Sequence, residues 1–225
     1  KKPGAQHGNP LYAACLYDLD AGVGILLAKL AELGLERDTL VVFTSDNGGT
    51  QASSQEPLRG NKGGYYEGGI REPFIVRWPG VVPQGAVTSA LCSQVDLMAT
   101  LAAALGLTLP PDTAHDSHNL LPVWKAPATA SPRRTIVHNT NANGYALRNE
   151  QWLLVAAKTG AISKVPAWFD PANGYAANDQ PGELYDLSAD LGQHRNLYAS
   201  EPAKVAELQA LLANQPTPLG PLRLE

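Results

Sequence analysis

Two short segments carry residue types that could do chemistry. Thr44-Ser45-Asp46-Asn47-Gly48-Gly49 sets a carboxylate beside a carboxamide, hard oxygen donors with one net negative charge between them. Such donors suit calcium or magnesium and suit a thiolate-seeking metal poorly. The glycines that follow let the backbone come close to a ligand. Asn47-Gly48 is also a common turn signal, so a plain turn without a ligand fits these residues as well. The second segment is Pro57-Leu58-Arg59-Gly60-Asn61-Lys62-Gly63-Gly64-Tyr65-Tyr66-Glu67-Gly68-Gly69-Ile70-Arg71-Glu72-Pro73. A lysine between glycines can bring a compact cation and several backbone N–H groups to a tetrahedral oxyanion. It is not a Walker A loop, which needs Ser or Thr after the lysine, whereas Gly63 follows Lys62. A solvated lysine on a surface loop is the other reading. Glu67 and Arg71 read as an ion pair anchoring the loop rather than as catalysts. A divalent cation and a lysine together would neutralise a sulfate or phosphate ester and the charge that develops as it is cleaved.

The elements that must position these residues follow from pattern. Asn9 as N-cap, Pro10 at the first turn and Gly34 as a stop bound a helix from Pro10 to Leu33. Its stripe of Tyr12, Cys15, Leu16, Leu19, Val23, Leu26, Leu30 and Leu33 predicts one buried face. Thr39 to Thr44 is a continuous apolar and β-branched run, predicted to be a strand covered on both faces in a parallel α/β sheet. Asp46 would then stand at a carboxyl edge of the sheet, where ligands bind in open α/β folds. Phe74 to Trp78 predicts a second buried strand. Ser93 with Asp96 reads as a capping box opening a helix that stops at Gly106. The Pro-rich stretch from Pro110 to Pro132 suggests a boundary, giving units 1–125 and 126–225. Beyond it, Thr135 to His138, Tyr145 to Arg148, Trp152 to Ala157 and Glu183 to Leu187 predict a small antiparallel sheet with turns at Asn143-Gly144 and Asn173-Gly174. A last helix from Pro202 to Leu212, with Ser200 as cap, should lay Val205, Leu208, Leu211 and Leu212 on it.

Composition narrows the class. The chain has 225 residues, 44% hydrophobic and 17% charged, with a net charge of -4 and no basic block, which excludes a disordered tail and argues against nucleic-acid or anionic-membrane partners. No uninterrupted apolar run reaches membrane-span length, and no secretory signal peptide is evident. The opening Lys1-Lys2-Pro3-Gly4-Ala5-Gln6-His7-Gly8, without start methionine or leading strand, reads like a beginning within something larger. Cys15 and Cys92 lie in apolar stretches and read as buried structural thiols.

Residues Asn9-Pro10-Leu11-Tyr12, Phe43 to Gly49, Leu58 to Gly63, Tyr66 to Pro73 and Arg77-Trp78-Pro79-Gly80 resemble the arylsulfatase-type sulfatase family in order and spacing. The tail Gly182-Glu183-Leu184-Tyr185-Asp186-Leu187 with Asn196-Leu197 is similar to that family's C-terminal signature. The resemblance implies the second half of an alkaline-phosphatase-like sheet domain, followed by a small antiparallel sheet with a helix. It implies Asp46 and Asn47 as two ligands of one divalent cation, usually calcium, and Lys62 on the oxygens of a sulfate ester, aryl or carbohydrate. The family's formylglycine, made from a C-x-P-x-R or S-x-P-x-R motif, has no counterpart here. Neither Cys15 nor Cys92 begins such a motif, and His7 matches no catalytic histidine. A sulfuric ester hydrolase segment inactive by itself is therefore implied, with a homo-oligomer or a complementing N-terminal half as partner and a periplasmic or extracellular location. A non-catalytic calcium- or glycan-binding module and a phosphoesterase half are the alternatives. His115 and His118 read as solvated loop histidines, Trp152 as a core tryptophan, and His138 as a candidate substrate contact.

Overall fold

The computed structural model describes residues 9–50, 53–139, 144–161 and 169–215; His7 and Asn143 lie outside them. The first helix, α1 (Pro10–Glu32), starts where its signals predict. Asn9 Oδ1 accepts from the Leu11 and Tyr12 amides at 3.0 and 3.2 Å, and Gly34 takes the left-handed φ of 68° that ends it. Its predicted burial does not follow. None of its residues is buried, and Leu11, Tyr17, Ile25 and Leu26 are mostly exposed. A stripe says which residues could be covered, and among the described residues nothing buries them. By length and apolar composition α1 meets the requirement for a membrane span, against the expectation from uninterrupted runs. Core helices of soluble proteins meet the same requirement.

Strand β1 (Val41–Thr44) pairs with β2 (Phe74–Arg77), but antiparallel, with Val41 opposite Arg77 and Thr44 opposite Phe74. This corrects the predicted parallel sheet. A continuous apolar run reports burial and carries no information about strand direction. Burial is also less than expected, since every β1 residue is only half-buried and Ile75 of β2 is exposed. Between the two strands runs the glycine-rich loop, ending in a single helical turn, α2 (Glu67–Ile70).

The Ser93–Asp96 capping box forms as predicted. It opens a 3-10 turn (Gln94–Asp96) that continues into α3 (Leu97–Ala104), followed by left-handed Gly106. A short helix, α4 (Leu121–Lys125), buries Val123 and Trp124, and the Trp124 ring lies 6.2 Å from that of Phe74 in β2.

The C-terminal sheet forms from the four expected strands: β3 (Ile136–Asn139), β4 (Tyr145–Arg148), β5 (Trp152–Val155) and β6 (Glu183–Asp186), antiparallel in that order. A single-turn helix, α5 (Phe169–Ala172), precedes the predicted turn at Asn173-Gly174. Period-two alternation gives the sheet two apolar faces. Leu147, Leu154 and Leu184 pack against Val205 and Leu208 of the last helix, α6 (Pro202–Ala213). Ala146, Leu153, Val155 and Tyr185 pack against Tyr65 and Tyr66 of the glycine-rich loop. The sheet therefore lies between α6 and the loop that carries Lys62. The residue capping α6 is Glu201 rather than Ser200, and it makes no side-chain cap bond. Trp152 is partly buried against the α6 side, as expected of a core strand residue.

Candidate functional site

Asp46 and Asn47 leave the end of β1, where Ser45 Oγ donates to the Asn47 carbonyl at 3.1 Å and Gln94 Nε2 donates to the Ser45 carbonyl. Asp46 is exposed and Asn47 half-buried. Two positions past the last β1–β2 pair on each strand lie Asp46 and Glu72. Burial pushes the Glu72 carboxyl up, and the nearby Asp46 charge adds to this. Glu72 was missed from sequence; the strand register that brings it to Asp46 is the signal that could have found it.

The Asp46 and Lys62 segments are joined through their backbones. The Lys62 amide donates to the Gly49 carbonyl at 2.8 Å, and the Gly48 amide donates to the Gly69 carbonyl at 3.0 Å. Gly48 is buried. A Cβ there would lie 2.1 Å from the Gly68 oxygen, so only glycine permits this approach. Lys62 itself is exposed at the loop surface.

Behind Lys62 the loop is anchored by buried polar groups. Glu67, 1% exposed, pairs with Arg71, whose Nε donates to Oε2 at 2.8 Å, and with Arg148 of β4, whose Nε lies 3.2 Å from Oε1. The predicted anchoring pair thus exists and has a second cation that sequence spacing did not reveal. Arg59 is also buried, its guanidinium 4.1 Å from the Tyr66 ring centroid. Glu183 of β6 accepts from Tyr66 Oη at 3.0 Å and from the Gly160 amide at 2.9 Å. Burial raises the Glu183 carboxyl and, with the Glu183 charge, pushes the Tyr66 hydroxyl up to about 12.

His138 lies on β3 opposite Ala146, on the sheet face that meets the Lys62 loop. Its Nε2 is buried and no described group bonds it. Burial lowers its pKa to about 4; neighbouring Glu67 opposes that shift and Arg148 adds to it. Because the unfolded histidine titrates near 6.5, the unfolded chain binds the extra proton between about pH 6.5 and 4. Stability should therefore fall as pH drops through that window and level off below it. Urea unfolding at pH 7 and 4.5 should show a smaller loss for His138→Phe than for the wild type; equal losses would rule out His138 as the source. His115 is exposed as predicted, whereas His118 is half-buried and its amide donates to Asp96 Oδ1 at 2.9 Å. Cys15 is exposed, contrary to the buried thiol expected, because the helix face that carries it is uncovered; Cys92 is half-buried, and both are free.

The donor set fits a hard cation in kind, since Asp46 and Asn47 offer oxygen. In number it is incomplete: among the described residues no three or more His, Cys, Asp or Glu side chains gather as a metal site, and calcium takes 6–8 oxygens.

The Asp46–Asn47 segment is thus pinned by backbone hydrogen bonds to the lysine loop, which packs on a small antiparallel sheet. Residues 5–107 match the family model described as Sulfatase. Human arylsulfatase A is 36% identical over 219 residues, covering 91% of this chain and 42% of that protein. The N-acetylgalactosamine-6-O-sulfatase of Bacteroides thetaiotaomicron is 35% identical over 216 residues, covering 90% and 41%. A solved Bacteroides thetaiotaomicron structure from work on the metabolism of multiple glycosaminoglycans superposes with a TM-score of 0.72 at 34% identity, over 87% of this chain and 42% of that one. The chain belongs to the sulfatase family and carries its alkaline-phosphatase-like fold. It spans about two fifths of the length of these relatives.

Proposed function

We propose that this chain supplies the cation and sulfate-binding side of a sulfuric ester hydrolase acting on an aryl or carbohydrate sulfate. The observation that carries the reading is the Lys62 amide bond to Gly49, which sets the only lysine of the loop beside the segment of Asp46 and Asn47. Asp46 and Asn47 would hold a divalent cation, calcium by family resemblance, which when bound supplies positive charge to the ester oxygens. Lys62, exposed on a loop held by backbone hydrogen bonds, would place its ammonium on the same oxygens and stabilise charge as it passes to the leaving alcohol. His138, the candidate substrate contact, would line the site from the sheet face behind the loop, its ring neutral and its Nε2 buried. No C-x-P-x-R or S-x-P-x-R nucleophile motif is present in the sequence, so the chain by itself should bind without turning over.

The test is an NMR titration with inorganic sulfate in the presence of calcium. Amide shifts should move at residues 46–49 and 60–64, and Lys62→Ala should weaken binding about tenfold, the loss of a charged hydrogen bond. Shifts elsewhere, or a Lys62→Ala variant that binds equally well, would defeat the reading. So would multiple turnovers of nitrocatechol sulfate by this chain, as regards its inactivity.

The apolar face of α1, not buried among the described residues, and the exposed Met98, Leu105 and Leu107 at and after α3 are apolar surface suited to further polypeptide. In our reading such surface is the contact for a complementing half or a second copy. Sedimentation of a monomer unchanged across a wide concentration range would remove the second copy.

A further inference from the structure

We propose that Gln193 and Arg59 are positioning residues for Lys62, through which the C-terminal sheet and the β6–α6 connection clamp both stems of the lysine loop. The inference rests on Lys62 being the oxyanion-binding group. Gln193 is fully buried and, unusually for a residue other than glycine, adopts a left-handed φ of 56°. Its side-chain Oε1 accepts from the Glu67 amide at 2.8 Å. Its main-chain oxygen accepts from Arg59 Nη1 at 3.2 Å. One residue thus grips both ends of the segment from Arg59 to Glu67. Its Nε2 is buried without a described partner, so the amide's contribution here is its acceptor oxygen, at the cost of an unsatisfied donor.

Arg59 completes the grip. Its guanidinium lies between the rings of Tyr66 and Tyr175, 4.1 and 4.3 Å from their centroids, and donates to Tyr185 Oη at 2.9 Å. A planar guanidinium can stack and donate at once, which an ammonium cannot. The loop then closes on itself, with the Gly68 amide on the Arg59 carbonyl at 2.7 Å. With its stems fixed, Lys62 has only side-chain freedom to lose when it meets an oxyanion.

Hydrogen exchange and sulfate titration of the whole chain test this together, with Gln193→Met removing the acceptor and Arg59→Lys keeping charge without the stacked fork. In both variants the Lys62 and Gly68 amides should exchange at least tenfold faster while Leu147 and Leu154 in the sheet stay protected. A Leu208→Ala control, which loosens the sheet from α6, should instead speed exchange in the sheet. Sulfate affinity should drop about tenfold. Variants that lose protection throughout the sheet, or that leave Lys62 and Gly68 as protected as in the wild type, overturn the proposal. If the wild type binds no sulfate, the oxyanion role of Lys62 fails, while exchange at Lys62 and Gly68 still decides whether the clamp exists.

Discussion

Arg133→Met is expected to destabilise the fold by about 3–5 kcal/mol, the cost of stranding a buried charge. Arg133 is 2% exposed and its partner Asp96 is fully buried. The guanidinium meets the carboxylate in a fork, Nη2 to Oδ1 at 2.7 Å and Nε to Oδ2 at 2.9 Å. Its Nη1 also reaches Asp116 Oδ1 and the Thr135 carbonyl, each at 3.2 Å. Asp96 additionally accepts from the Ser93 and His118 amides at 2.8 and 2.9 Å. Those neutral donors would remain after substitution, but the compensating charge would be gone. The joined residues stand on both sides of the boundary expected between 125 and 126, so the pair ties the α3 region to the entry of the C-terminal sheet. Urea unfolding measures the effect. Adding Asp96→Asn, which keeps an acceptor for the cap without the charge, should recover part of the loss. A change below about 1 kcal/mol for Arg133→Met would mean that the pair adds little beyond packing.

What was legible in the sequence was local. Asn9 and Gly34 act on their own few residues, so the ends of α1 could be read directly, and short runs between turn signals located all four C-terminal strands. Gly48 signalled a close backbone approach, read as one to a ligand, whereas its neighbours are the backbone of Gly68 and Gly69. Strand direction in β1–β2 was illegible because apolar runs encode burial alone. The buried charges were hidden for a different reason. Arg59 finds Tyr185 and Gln193, and Arg133 finds Asp96, across long stretches of chain that leave no periodic trace. Of the candidate site, residue identities were visible, and the hydrogen bonds that pin Lys62 beside Gly49 were not.

Gly48→Ala should damage the site more than any change to its charged residues, because it acts on both segments at once. The new methyl would lie 2.1 Å from the Gly68 oxygen and 2.7 Å from the Gly69 carbonyl carbon and Cα, all backbone atoms. Those atoms have nowhere to retreat: a Cβ at Gly68 would itself be 2.5 Å from the Gly60 oxygen, and one at Gly69 2.5 Å from the Asn61 oxygen. The strain of overpacking costs about 1–3 kcal/mol, and separating the segments breaks the Gly48 and Lys62 backbone bonds. Asp46 and Asn47 would then shift relative to Lys62, and sulfate binding in calcium should fall below detection. Gly24→Ala in α1 is the control. A Cβ there meets nothing within 4 Å, and replacing a mid-helix glycine should stabilise by about 0.5–1 kcal/mol. Opposite signs for the two glycine-to-alanine changes would trace the damage to the contact between loops. A Gly48→Ala variant with wild-type stability and an unchanged sulfate titration would show that the two segments need not touch for the site to form.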